Sequence, residues 1–184
     1  MPTPKKIFKI VATTVIALLL LYNFLLSDYN PMFKNEKFNS LNNQLKTVQK
    51  EDLKSFTTIY TKIHETVKER RCPCEVIVNN TGAGLYRHGF SLTQRFYLLK
   101  IEKEFTHEEC LKFQLLNADF NYKNIGIKSA SKFYFNKTIE QLNETEKVMF
   151  IAMLDNSSLY NPIRNKQMVK NRVRLYKMIL NKNR

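Results

Sequence analysis

Three cysteines, three histidines and a group of glycines are the residues whose types and spacing first raise a question of chemistry. Cys72-Pro73-Cys74 forms a close pair, and Cys110 follows later. One chemistry for such thiols is a disulfide from Cys110 to either member of the pair, leaving one thiol over. The other is a zinc site, because Cys72, Cys74, Cys110 and one of His64, His88 or His107 supply four ligands. The spacing matches no standard zinc pattern, and no third group is identifiable to orient a Cys-His nucleophile. Neither a metal nor another cofactor is therefore expected. Gly82, Gly84 and Gly89 bring three of the four glycines into one short stretch. Such a loop can cradle a phosphate with its backbone N–H groups. No Gly-Lys-Ser/Thr follows, so a plain turn is the expectation.

Charge says more about partners. The 184 residues carry 30 Lys and Arg against 16 Asp and Glu, a net charge of +14. That balance calls for an anionic partner: nucleic acid, lipid headgroups or a phosphorylated substrate. The N-terminus narrows the choice. Residues 10–26, IVATTVIALLLLYNFLL, carry no charge, with Lys5, Lys6 and Lys9 before them and Asp28 after. Counted from Ile7, the run makes roughly 30 Å of helix, the thickness of a bilayer's hydrocarbon core. No small-x-small cleavage site follows Leu26, so an uncleaved anchor is expected rather than a signal peptide. The basic flank stays cytoplasmic and everything beyond residue 28 is exported. Export excludes nucleic acid as the partner. All 16 acids lie beyond the anchor, yet the exported part remains basic, which suits anionic lipid or a lipid-linked phosphate.

The remaining chain must supply the elements that position any site. Residues 29–40 read as a polar juxtamembrane linker. Leu41, Leu45, Val48, Leu53, Phe56, Ile59, Ile63 and Val67 keep near-helical spacing, giving two helices with the second starting near Glu51. Pro73 breaks the pattern, Val76-Ile77-Val78 reads as a short strand, and 79–84 as a loop. From Ser91 onward helix follows helix. Thr106 with Glu109 and Asn143 with Glu146 are capping boxes. KVMFIAML, apolar nearly all round, belongs in a core. Residues 163–184 form a final helix with eight Lys and Arg and no acid, its apolar face being Val169, Val173, Tyr176 and Leu180. Solvation of the charged face is the expectation there.

Four segments in order, IEKEFTHEECLKF, GIKSASKFYFNK, LNETEKVMFIAML and SSLYNP, resemble the second half of the peptidoglycan glycosyltransferase domain. That domain is glycosyltransferase family 51, found in monofunctional transglycosylases and class A penicillin-binding proteins. The matched positions are Glu102, Phe105, Thr106 and Glu109, then Gly126, Ile127, Ala130, Tyr134, Phe135 and Lys137. They continue with Leu142, Glu146 and Ala152, then Ser158, Tyr160, Asn161 and Pro162. Arg172 stands where the family often has an arginine. The resemblance implies a mainly α, lysozyme-like helical domain with a short strand or hairpin segment, preceded by one transmembrane helix. On this reading residues 1–28 are the basic stub and anchor, 29–40 the linker and 41–184 the domain, with the clearest match over 101–178.

The family's reaction uses two glutamates, one as base on the acceptor hydroxyl and one assisting departure of the donor's pyrophosphate. The first belongs to E-D-x-x-F-x-x-H-x-G. Glu51-Asp52-Leu53-Lys54-Ser55-Phe56 is the nearest match, with its Phe one residue late and no His-x-Gly after it. Acids at a helix start also offset the macrodipole, which accounts for Glu51 without catalysis. In HGFSLTQRF, Gly89, Thr93 and Gln94 match the family's G-G-S-T-I-T-Q-Q. Only YLLK separates this segment from IEKEF, so either the stretch bearing the second glutamate is deleted or, in an ungapped alignment backwards from Phe105, Gln94 stands where that glutamate belongs; either way the carboxylate is missing. Glu102 stands at a non-catalytic family position and is the remaining weak candidate. Lys112 replaces a family acid and Leu116 a family asparagine. The resemblance thus implies a membrane-anchored, catalytically degenerate transglycosylase of cell-wall synthesis. Thr93, Gln94, Arg87, Arg95 and Lys100 would face a lipid-linked pyrophosphate sugar. Its partners would be the lipid of the bacterial inner membrane, the peptidoglycan precursor and the cell-wall synthases. The alternative is a non-catalytic scaffold for those synthases.

Overall fold

The computed structural model describes residues 3–67, 72–80 and 92–182. Arg87, Ser91 and the three clustered glycines therefore lie outside the described residues. The chain is mainly helical, as the resemblance implied. Helix α1 (Pro4–Leu25) is long and apolar enough to cross a membrane, and none of its residues is buried. Beyond it, Pro31–Lys34 forms a 3-10 turn and α2 spans Glu36–Val48. Residues 29–40 are thus not a linker. Phe33 and Phe38 are buried in the domain's core, and Asn35 caps α2 by accepting from the Phe38 N–H at 2.8 Å.

Helix α3 (Lys54–Thr66) follows, then α4 (Pro73–Asn80). Val76-Ile77-Val78 is helical here rather than a strand. Pro73 is tolerated in the first turn, where an N–H has no partner in any case. Burial of Cys74, Ile77 and Val78 on one face outweighs the strand preference of the β-branched residues. The extended pairing lies elsewhere, as an isolated antiparallel bridge between Asp119 and Ile125. Between them Asn121, Tyr122 and Lys123 all take positive φ.

Four more helices follow: α5 (Leu92–Glu104), α6 (His107–Asn117), α7 (Ile127–Phe135) and α8 (Glu144–Asp155). Helix α9 (Lys166–Lys182) closes the chain. Both expected capping boxes form, Thr106 with Glu109 opening α6 and Asn143 with Glu146 opening α8. Gly126 starts α7 at φ 79°, and a Cβ there would lie 2.3 Å from the Leu116 carbonyl oxygen. Only glycine fits that position.

Two hydrophobic clusters share α6 as a common wall. Leu111 and Leu115 face α3, α7, α8 and α9, while Cys110 and Phe113 face α2, α4, α5 and the residues after α1. α8 is buried through Val148, Phe150, Ile151, Ala152 and Met153. Helix α9 buries Val169, Val173, Tyr176 and Leu180, the face read from its sequence. A Cys74–Cys110 disulfide joins α4 to α6, which decides the pairing the sequence left open, and Cys72 is the free thiol.

Candidate active-site cleft

Glu51 sits just before α3, where the residues leading into that helix meet α7. Its carboxylate accepts from Lys128 Nζ at 2.8 Å. Beside it opens a cleft of about 650 Å³ between α3, the Ile139–Gln141 turn and α8. Asp52, Glu140 and Glu144 supply acids to its walls, and Lys54 and Lys147 supply cations. The Lys147 ammonium also lies 5.7 Å from the Phe56 ring centroid. A hydrogen bond from Thr138 holds the Glu140 carboxyl below its ordinary range, with Lys128 and Lys132 adding to the effect. The cleft therefore mixes carboxylates with ammonium groups, a setting suited to hydroxyl-rich and phosphorylated ligands. Glu140 and Glu144 were not singled out from sequence. Their signal there was only that of acids in first turns, which helix capping explains equally well.

Glu102 belongs to different surroundings. Its Oε1 lies 3.4 Å from Cys72 Sγ and 3.8 Å from His107 Nε2. Glu51 and Glu102 are thus engaged by different partners, Lys128 for the first and Cys72 and His107 for the second. Thr93, Gln94 and Arg95 fall in the first turn of α5, where Gln94 donates to Asn79 at 3.3 Å.

Lys100, expected to face a pyrophosphate, is engaged by protein partners. It is buried and saturated, donating to the Leu26 carbonyl at 2.9 Å, to Asp28 at 2.7 Å and ion-pairing with Glu104 at 2.6 Å. The long apolar stem crosses a core containing Phe33 and brings the ammonium to the end of α1.

The positions shared with the family mostly hold one another. Tyr134 donates to the Phe120 carbonyl at 2.6 Å, and Asn161 donates to the Tyr134 hydroxyl at 3.2 Å. Lys137 pairs with Glu146 at 2.6 Å. Burial works against the Glu146 charge, but Lys137 and the Asn143 N–H outweigh it and hold the carboxyl below its ordinary range. Arg172 donates to the Tyr160 hydroxyl and covers its ring at 4.6 Å. Beside it, Asp155 accepts from Tyr176 and lies 3.0 Å from His64 Nε2. Burial and the Asp155 charge push the Tyr176 phenol far up. These pairs tie α3, α7, α8 and α9 together around the cleft. Phe135 packs on Phe150 and Ala130 is buried, so both are core residues.

Beyond one apolar N-terminal helix, the chain is a lysozyme-like helical domain with two hydrophobic clusters and an acid- and lysine-lined cleft. The transglycosylase family model matches residues 89–182, about half of the chain. Penicillin-binding protein 4 of Bacillus subtilis (strain 168) is 33% identical over 81 residues, 44% of this chain and 13% of that protein. The chain belongs to the transglycosylase family. It spans a small fraction of that relative's length.

Proposed function

We propose that this chain is a single-pass, membrane-anchored member of the family that holds a lipid-linked pyrophosphate sugar of the peptidoglycan type without polymerising it. Helix α1 would be the anchor, with Lys5, Lys6 and Lys9 on the cytoplasmic side and the domain exported. Directly beyond α1, Lys34 and Lys46 line a second cleft of about 700 Å³ beside Asp28, and these cations would meet anionic headgroups. The observation that carries the reading is the separation of the acids. Glu51 is tied to Lys128 and Glu102 to Cys72 and His107, whereas the reaction needs two carboxylates about one substrate.

The test uses purified full-length protein in detergent with a labelled lipid-linked disaccharide-peptide, following polymerisation and binding in parallel. Binding without polymer is expected. Polymerisation that is lost in Glu51→Gln or Glu102→Gln would overturn the non-catalytic reading. Absence of both would leave the alternative, a scaffold acting on cell-wall synthases through protein contacts.

A further inference from the structure

Cys72, Glu102 and His107 come from three segments: the residue before α4, the last turns of α5 and the first residue of α6. Their ligand atoms form a nearly equilateral triangle. Cys72 Sγ lies 3.4 Å from Glu102 Oε1 and 3.5 Å from His107 Nε2, and those two are 3.8 Å apart. Zinc–sulfur bonds of about 2.3 Å and zinc–nitrogen or zinc–oxygen bonds of about 2.0–2.2 Å fix what such a triangle should measure. At tetrahedral angles they put the sulfur about 3.5–3.7 Å from its neighbours and the nitrogen and oxygen about 3.3–3.6 Å apart. The triangle thus has roughly the size of one face of a zinc tetrahedron, and closing on an ion asks for shifts of about 0.2–0.5 Å, largest at the Glu102–His107 edge.

We propose that Cys72, Glu102 and His107 form a binding site for one zinc-class divalent cation, outside the glycan cleft and compatible with the Cys74–Cys110 disulfide. The charges match, because a thiolate and a carboxylate neutralise the dication and a neutral imidazole completes the set. Thiolate with imidazole favours zinc over the hard cations calcium and magnesium. The fourth position faces solvent, since the His107 side chain is 55% exposed. Cys74 Sγ lies within 4.8 Å of both Cys72 Sγ and a ring nitrogen of His107, but its sulfur is bonded to Cys110 and offers no thiolate.

The surroundings of the thiol fit a cation. The Cys72 sulfur faces the N–H groups of Glu75 and Cys74 at the start of α4 and lies against the Glu102 carboxylate. A dication would change what that carboxylate does. It turns the nearby carboxylate from a repulsive neighbour into a fellow ligand, and the displaced thiol proton passes to solvent. The N–H groups then serve as donors to the bound thiolate. Metal bound here would pin the start of α4 to the corner between α5 and α6. Sequence spacing could not reveal this set, because Glu102 comes from a helix outside the Cys and His pattern.

Cobalt(II) tests the site directly on the oxidised full-length protein in detergent micelles. The expected result is a thiolate-to-cobalt charge-transfer band that saturates at one ion per chain and is displaced by zinc. Cys72→Ser should abolish the band, while His107→Gln and Glu102→Gln should weaken binding at least tenfold. Zinc should also slow alkylation of Cys72 in the unmutated protein, a readout that needs no variant to fold. No band with excess cobalt, a band that survives Cys72→Ser, or a band seen only after disulfide reduction would each overturn the proposal. Lipid binding and glycan polymerisation play no part in any of these readouts.

Discussion

Replacing Lys100 with methionine should loosen the joint between the apolar helix and the domain more than any other single charge change. The ammonium is 4% exposed and has three partners, the Leu26 carbonyl, Asp28 and Glu104. Methionine keeps the stem's volume, so the loss is electrostatic. Breaking a buried pair by removing one member costs about 3–5 kcal/mol. Asp28 is 86% exposed and is rehydrated at once, so the uncompensated groups are Glu104 and the Leu26 carbonyl. Discounting for that gives about 2–3 kcal/mol. For a chain of this size the melting temperature should fall by roughly 5–10 °C. Asp28→Asn, altering only the exposed partner, should cost less than about 1 kcal/mol.

Thermal unfolding in detergent measures both variants, and limited proteolysis between Ser27 and Pro31 reads the joint itself. The pH dependence has two limbs. Burial opposes the Lys100 charge, but Asp28 and Glu104 raise its pKa above the ordinary lysine value. Its contribution is therefore complete below about pH 10 and lost as pH rises through the folded value. Asp28 is lowered by its hydrogen bond from Lys100, so its contribution is present above about pH 4 and lost on acidification. Equal effects of Lys100→Met and Asp28→Asn, with unchanged cleavage between Ser27 and Pro31, would refute the reasoning.

Other perturbations have equally direct readouts. Removing the Cys74–Cys110 disulfide, whose cysteines stand 36 residues apart, should cost about 3–4 kcal/mol, read by thermal unfolding of Cys74→Ala/Cys110→Ala. Gly126→Ala must move the Leu116 carbonyl and hold alanine at positive φ, so a loss of at least about 2 kcal/mol is expected in denaturant titration. Thr106→Ala removes one capping box and should cost about 1 kcal/mol. In that box, burial opposes the Glu109 charge but hydrogen bonds from Thr106 outweigh it and lower the pKa. Its stabilisation is present above about pH 4 and lost as pH falls, so the wild-type advantage over Thr106→Ala should shrink in acid melts.

Helix periodicity and capping were legible in the sequence because they are local. The α9 face, the two capping boxes and the all-round apolar α8 follow from spacing within one or two turns. What failed depends on contacts distant in sequence. Val76-Ile77-Val78 looks like a strand until Cys74 and Ile77 are packed against α6. Residues 29–40 look like a linker until Phe33 and Phe38 meet Tyr97, 5.9 and 4.9 Å away between ring centroids. Lys100 looks like a surface cation because nothing local marks the Leu26 carbonyl, far earlier in the chain, as its acceptor. For the cleft, Glu51 and Asp52 were visible through their family motif. Glu140 and Glu144 were hidden behind the ordinary preference for acids at helix starts.

Helix α5 explains why the site took this form. It runs unbroken from Leu92 to Glu104, so the matched Thr93-Gln94 and the matched Glu102 lie on one rigid rod with no loop between them. On the proposed reading the family's second acid is absent here, whether its stretch is deleted or Gln94 replaces it. The polar residues of α5 are distributed by helical geometry. Gln94 turns to Asn79 on α4, Lys100 to the end of α1, and Glu102 to Cys72 and His107. Each of these contacts fastens α5 to a neighbour. Restoring a single glutamate at position 94 would therefore not by itself rebuild a catalytic pair. On the proposed reading, Gln94→Glu should leave the polymerisation assay without product. Polymer formed by that variant would show that one carboxylate, and not the arrangement of α5, had been missing.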